Sequence, residues 1–294
     1  MAHKAGFVNI IGNPNVGKST LMNAMIGEKL SIITSKAQTT RHRVMGIVNG
    51  EDFQIVYSDT PGIIKPGYKL QEYMLRYSRR ALTDADIILY ITDVQETKDK
   101  NIGYLNKLQK VKIPVLVLIN KIDLSNEDRV NQLMSEWKEL LPAAEVLPIS
   151  ATEKFNLNAV FDRIYQLLPE SPPYYPKDAF TDKSERFFCS EIIREKILMN
   201  YQKEIPYSVE VEVESFKESK DIIKIQSNIF VARESQKGII IGHQGKALKK
   251  TGTMARKDME KFFDKKVFLE LFVKVKKDWR NDDRSLRQFG YHHD

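Results

Sequence analysis

Gly12-Asn13-Pro14-Asn15-Val16-Gly17-Lys18-Ser19 is the stretch on which the reading of the fold turns. It fits the phosphate-loop pattern, glycine, four residues, then Gly-Lys-Ser. The run Phe7-Val8-Asn9-Ile10-Ile11 before it reads as a strand, and a helical stretch opens at Lys18. The glycines let the backbone curl around a phosphate, so that loop N–H groups and the helix N-terminus face the anion. In this context Lys18 is expected to reach the β and γ phosphates and Ser19 to ligate Mg²⁺, with Thr20 beside it. Gly12 through Thr20 are therefore candidate nucleotide-binding residues.

Working outward, apolar strands alternate with helical stretches. Residues 44–48 and 53–58 flank Asn49-Gly50-Glu51-Asp52, a hairpin signal. Further strands are expected at 87–93, 115–120 and 146–150, with helices at 69–83, 98–110 and 126–141. Continuous apolar strands suit a largely parallel sheet covered on both faces. The alternation predicts a doubly wound α/β domain with a mixed, mostly parallel sheet.

Three more elements follow in order, each at the C-terminal end of an expected strand, where open α/β sheets bind ligands. Asp59-Thr60-Pro61-Gly62 comes first. Its aspartate can hold Mg²⁺, and the Gly62 N–H can report the γ phosphate because glycine lets the chain swing. In Asn120-Lys121-Ile122-Asp123, the Asp123 carboxylate can accept the N1–H and exocyclic amine of guanine, a pair adenine does not offer. Lys121 can lay its stem along the base, and Asn120 can tie loops together. Ser150-Ala151 ends the next strand, where a backbone N–H can meet guanine O6. Between the first two motifs, Ala37-Gln38-Thr39-Thr40-Arg41-His42-Arg43 is polar. Thr40, with Thr39 second, is the candidate to complete a magnesium shell with Ser19 and Asp59. Ile63 stands where Ras-like enzymes place a water-orienting glutamine. Slow unstimulated hydrolysis is therefore expected, with Lys18, Thr40 and Gly62 as candidate catalytic residues.

The stretch 168–176 holds four prolines, which neither continue a helix nor pair as a central strand. A semi-rigid linker at 170–178 is expected, dividing domains at 1–169 and 179–294. The second half reads helix (183–202), strand (208–216), strand (221–230), short helix, long helix (246–263) and strand (267–276). Ile241-Gly242-His243-Gln244-Gly245-Lys246 joins the two later helices. Two glycines two residues apart between helices match the loop with which KH domains approach a single-stranded RNA backbone. Ile241 through Lys246, and Lys249, are candidate RNA-binding residues. Arg256, Lys257, Lys261, Lys265 and Lys266 read as a solvated face.

The bulk numbers agree. The 294 residues suffice for two domains, and 42% hydrophobic with 29% charged residues is a globular composition. A net charge of +7 and a pI near 9.1 favour polyanionic partners. The single cysteine, Cys189, excludes an internal disulfide framework and a cysteine-rich metal cluster. The longest apolar runs, 87–91 and 115–119, are too short to span a bilayer, and no signal peptide reads at the N-terminus. A cytoplasmic protein is expected. Trp279 and the polar tail after it carry no reading.

The four ordered nucleotide elements, Gln38-Thr39-Thr40-Arg41, Pro172 to Pro176 with Thr181-Asp182, and the Gly242 to Gly245 loop together resemble the Era-like family of bacterial GTPases, over essentially the whole chain. The resemblance implies a P-loop GTPase domain followed by an α+β type II KH domain, in a monomer that hydrolyses GTP with Mg²⁺. It implies binding to the 3′ end of small-subunit (16S) ribosomal RNA, assistance to 30S subunit biogenesis, and peripheral association with the inner face of the cell membrane. In related GTPases with a hydrophobic residue at the position of Ile63, an asparagine matching Asn15 helps hold K⁺ near the phosphates, which makes Asn15 a further catalytic candidate. The alternative reading is a membrane-associated signalling GTPase coupling growth or the cell cycle to the GTP level.

Overall fold

The computed structural model describes residues 2–96 and 102–292. The chain divides into two compact units. One runs through Lys65 and resumes over Met74–Asp182; the other joins Pro66–Tyr73 to the chain from Lys183 onward.

The first part of the chain forms β1 (Lys4–Gly12), α1 (Lys18–Ile26), β2 (Val44–Asn49), β3 (Phe53–Asp59), α2 (Lys69–Arg80), β4 (Ile87–Asp93), α3 (Ile102–Leu108), β5 (Val115–Asn120), α4 (Glu127–Leu140), β6 (Glu145–Pro148) and α5 (Leu157–Leu167). The helix expected at 98–110 is described from Ile102; 98–101 lie outside the described residues. The sheet order is β2-β3-β1-β4-β5-β6. β2 runs antiparallel to β3, as the Asn49–Asp52 turn predicts, and the other pairs are parallel.

The local causes are legible. Every residue of β4 is buried, which its unbroken apolar run requires of a strand covered on both faces. At the start of α4 the Asn126 side chain accepts the Arg129 N–H at 2.9 Å, with Glu127 and Asp128 in the first turn. This helix buries Val130, Leu133 and Trp137, spaced three and four apart. Trp137 meets Tyr90 of β4 with ring centroids 5.5 Å apart. Each large apolar side chain so buried contributes about 2 kcal/mol. Parallel register sets Asp59 beside Ile10, Ile91 beside Gly12, and Asn120 beside Asp93, so the strand ends that carry the motifs share one edge.

The proline-rich stretch runs along the first unit. The Gln54 side chain accepts from the Tyr174 and Tyr175 N–H groups at 2.8 and 2.9 Å. Ile47 N–H donates to the Phe180 carbonyl at 2.9 Å. Thr181 Oγ1 donates to the Met45 carbonyl at 2.6 Å, and Asp182 accepts the Met45 N–H at 3.0 Å. Proline cannot donate, so side chains and the exposed backbone of β2 supply the bonds that hold this segment.

The second part forms α6 (Glu185–Asn200), α7 (Ile205–Ser208), β7 (Glu210–Glu218), β8 (Ile222–Val231), α8 (Glu234–Ile241), α9 (Lys246–Phe263), β9 (Lys266–Val275) and α10 (Asp283–Gln288). The strand expected from 208 begins at Glu210, because Pro206 opens the short α7 first. In the three-stranded sheet β7-β8-β9, β8 is antiparallel to β7 and parallel to β9. Cys189, Ile193 and Ile197 of α6, Ile223, Ile225 and Ile229 of β8, Ile240 of α8, and Ala255 and Met259 of α9 share one core.

The tail that carried no reading is buried against the start of β7. Trp279 is fully buried, its indole N–H donates to the Ser208 carbonyl at 3.1 Å, and Phe289 packs edge-on at 5.5 Å. The Tyr291 hydroxyl donates to Glu210 at 2.8 Å.

Candidate nucleotide-binding site

β1 ends at Gly12, where a Cβ would strike the Ile91 carbonyl oxygen of β4. The loop that follows ends at Gly17, with φ +100°, where a Cβ would strike the Asn120 side-chain nitrogen. Only glycine meets both constraints. Asn120 earns this closeness: its Nδ2 donates to the Val16 carbonyl at 2.8 Å, and its Oδ1 accepts the Ala151 N–H at 3.0 Å. Three sequence motifs are thus joined by one buried amide. Of the Ser150-Ala151 backbone, expected to offer an N–H to guanine O6, the Ala151 N–H is engaged by Asn120. The Ser150 hydroxyl donates to Asp123 Oδ1 at 2.6 Å and so orients the candidate base-reading carboxylate.

Lys18 is buried, and its Nζ donates to the Asn13 carbonyl at 2.6 Å. Burial lowers its pKa to about 8, against the opposing charges of Asp59 and Glu96. Ser19 Oγ donates to Asp59 Oδ2 at 2.6 Å; Thr40 Oγ1 lies 2.9 Å from Ser19 Oγ and 3.2 Å from the same carboxylate oxygen. Burial pushes the Asp59 carboxyl up from the ordinary range. Its Oδ1 is buried with no hydrogen-bond partner among the described residues. Two hydroxyls converging on a buried carboxylate with an idle oxygen fit a hard divalent cation, whose ligands are oxygens. Thr39 lines the same cavity, but its hydroxyl is engaged elsewhere, donating to the Lys36 carbonyl at 2.6 Å.

Gly62 packs against Pro14 so closely that a Cβ would lie 2.8 Å from the proline ring, and the Ile63 N–H donates to the Gly12 carbonyl at 3.2 Å. Ile63 is buried in the core that holds Tyr90 and Trp137. Thr60 donates to the Ile10 carbonyl at 2.8 Å, and the Pro61 carbonyl accepts from Ser78 at 2.6 Å, so both serve the loop's frame. The Asn15 side chain, in a left-handed residue with φ +66°, donates to the Ser35 carbonyl at 3.1 Å. A cavity of about 450 Å³ opens among these groups. Pro14, Asn15, Gly17 to Thr20, Thr40, Gly62 and Lys121 line it, together with Ile32, Ile33 and Thr34, which no motif marked. Asp93, which ends β4, and Glu96, in the turn that follows, were also unmarked. Lys121 Nζ pairs with Asp93 at 2.6 Å, and Glu96 accepts from the Asn13 side chain. No fixed spacing announces either carboxylate.

In the second unit, α8 stops at Gly242 (φ +70°), where a Cβ would lie 2.6 Å from that of Ala247, and α9 opens after Gly245 (φ +74°). A Cβ on Gly245 would meet nothing within 4 Å. Gln244 between them is also left-handed, with φ +51°. His243, Gln244, Lys246 and Lys249 are exposed, whereas Ile241 and the glycines are half-buried. The loop therefore offers bare backbone flanked by positive charge. Arg256 pairs with Glu260, and Lys265 with Glu218, as a solvated face does.

This fold and these motifs define a P-loop GTPase joined to a KH domain. The family described as 50S ribosome-binding GTPase matches residues 7–121, and the KH domain family matches 204–280. The chain is 46% identical over 290 residues to GTPase Era of Clostridium kluyveri, covering 98% of this chain and 99% of that one. Aquifex aeolicus Era bound to GDP·AlF4⁻ superposes with a TM-score of 0.94 at 39% identity, covering 98% and 99% of the two chains. Era in complex with MgGDPNP and nucleotides 1506–1542 of 16S ribosomal RNA superposes at 0.93 with 40% identity and the same coverage. The chain belongs to the Era GTPase family and is a GTP-hydrolysing enzyme.

Proposed function

We propose that this GTPase binds the single-stranded 3′ end of 16S ribosomal RNA through its KH loop, under control of the bound nucleotide, and assists assembly of the small ribosomal subunit. The observation that carries the reading is the loop from Gly242 to Gly245. It presents two half-buried, side-chain-free positions around exposed His243 and Gln244, followed by exposed Lys246 and Lys249, and a relative of 40% identity covering 98% of this chain forms a complex with that RNA. Phosphate contacts favour such bare backbone and nearby charge, and the bases of a single strand are free to be read.

In the proposed mechanism, Ser19, Thr40 and Asp59 hold Mg²⁺, which when bound neutralises charge on the β and γ phosphates. The phosphate-loop N–H groups and Lys18 grip the same phosphates. Burial lowers the Lys18 pKa, and an entering anion acts in the opposite sense, favouring the charged ammonium. The Gly62 N–H senses the γ phosphate, and Thr40 closes with it; loss of that phosphate releases both. Asp123 and Lys121 select guanine. Ile63 is buried and apolar, so it cannot orient the attacking water, and unstimulated turnover is slow. Asn15, exposed on the loop, is assigned to a K⁺ site beside the phosphates; hydrolysis faster in potassium than in sodium buffer is expected, and equal rates refute that assignment. The same reading places the protein in the cytoplasm as a monomer, with peripheral contact to anionic membrane. No helix among the described residues is long and apolar enough to cross one. Flotation with anionic vesicles, compared with RNA binding at matched salt, tests that contact.

The central test measures binding of a 16S 3′-end fragment with a non-hydrolysable GTP analogue and with GDP. Tighter binding with the analogue is expected. Gly245→Asp should abolish it, since the new side chain puts a negative charge where phosphate would lie; that side chain meets nothing within 4 Å, and aspartate holds the left-handed backbone at φ +74° for about 1–2 kcal/mol, so the domain stays folded, which nucleotide-free melting checks. Equal binding in both nucleotide states would reduce the KH domain to a constitutive tether.

A further inference from the structure

The turn that closes β4 reaches the phosphate loop at two points. Asp93 is nearly buried and holds Lys121 Nζ at 2.6 Å; the same ammonium donates to the Asn15 carbonyl at 2.6 Å. Glu96 accepts the Thr92 hydroxyl at 2.8 Å with one oxygen and the Asn13 side-chain amide with the other. The Asn13 carbonyl in turn accepts Lys18 Nζ at 2.6 Å. The turn is closed on itself, since Gln95 N–H donates to the Asp93 carboxylate at 3.0 Å and Glu96 N–H to the Asp93 carbonyl at 3.3 Å. Gly12, pressed against β4 at Ile91, fixes the start of the loop against the same strand. Two carboxylates on one closed turn therefore govern the loop on either side of Pro14.

We propose that Asp93 and Glu96 are positioning residues for GTP binding and hydrolysis, with separable effects. Asp93 sets the side of the loop that faces the base. A lysine on a four-carbon stem loses rotamer freedom when the stem lies along guanine, and a carboxylate that already holds its ammonium removes that loss from the binding step. Binding of GDP and GTP depends on it equally, because both carry the base. Glu96 sets the side that faces the phosphates. It anchors Asn13, whose carbonyl accepts the Lys18 ammonium, so its effect falls on the γ phosphate and on turnover. Neither carboxylate need touch the nucleotide. A role confined to stability would lower affinity, turnover and melting temperature together.

The inference rests on the assignment of the nucleotide site, which Lys18→Ala tests separately: parent-like nucleotide affinity in that variant removes the assignment itself. With the full chain, affinities for GDP and a non-hydrolysable GTP analogue, steady-state kinetics and nucleotide-free melting are compared for the parent, Asp93→Asn and Glu96→Gln. Asp93→Asn should weaken GDP and the analogue alike by about tenfold, the scale of one hydrogen bond to a charged group, and raise KM accordingly with a much smaller change in kcat. It should add nothing to the loss already caused by Lys121→Met. Glu96→Gln should lower kcat by about tenfold while GDP affinity moves less than about threefold. Parent-like kinetics in both variants, or parallel loss of affinity, kcat and melting temperature in both, would overturn the proposal.

Discussion

Gly17→Ala probes the point where the phosphate loop, the guanine motif and the Ser150–Ala151 strand end meet. Gly17 sits at φ +100° and ψ +23°, a conformation that costs a side-chain-bearing residue about 2 kcal/mol. The new methyl would strike the Asn120 side-chain nitrogen. Asn120 and Val16 are both buried, so moving that amide breaks the 2.8 Å bond to the Val16 carbonyl in a place water does not reach. A buried carbonyl left without its partner costs about 2 kcal/mol. The sum, about 4 kcal/mol, corresponds to roughly a thousandfold in affinity at 1.4 kcal/mol per decade. The loop can relax in the free protein and be forced back by nucleotide, in which case the loss appears in GDP affinity. If it cannot relax, the first unit melts lower by about 2–4 °C for each kcal/mol. Fluorescent-GDP titration and nucleotide-free melting together capture the total. Affinity within threefold of the parent, with an unchanged melting curve, would refute the claim that these motifs are locked through one amide.

Other perturbations test other parts of the structure. Asp123→Asn should weaken GTP and favour xanthosine triphosphate, since an amide can donate where the carboxylate only accepts; an unchanged preference in competition binding would remove Asp123 as the base contact. Trp279→Ala empties a fully buried site and removes the bond to Ser208, which should cost about 3–5 kcal/mol and melt the second unit early, whereas parent-like melting would place the tail outside the fold. The Cys189 thiol, pushed up to about 12 by burial, stays protonated at pH 8, so disulfide-exchange reagents should label it only in denaturant; rapid native labelling would contradict its place in the core.

The order of motifs along the chain was legible because each depends on local requirements. Glycine is needed where a Cβ would collide, an acidic residue where a strand ends, and an asparagine-glycine pair where β2 turns into β3. Continuous apolar runs gave away the parallel strands, and the uninterrupted helical pattern from Lys246 to Phe263 emerged with its expected bounds. The proline-rich stretch announced the absence of helix, but its attachment to β2 and β3 depends on Met45 and Gln54, more than a hundred residues upstream.

What the sequence determined by itself was the class of chemistry: which residues can cradle a phosphate, offer oxygens to a cation and accept from guanine. Tertiary structure alone decided how those residues are held. The placing of the Asp93 and Glu96 carboxylates, the idle oxygen of Asp59 and the amide of Asn120 joining three motifs all arise from parallel strands brought into register. The tail's aromatic residues likewise show no helical or strand period, and their polar atoms are buried only because the Ser208 carbonyl and the Glu210 carboxylate accept from Trp279 and Tyr291. A periodic pattern reports which face of an element is dry; it says nothing of which distant polar group will meet it. That pairing is settled only when the strands close, because each partner's cost of burial is met by a group far away in the chain.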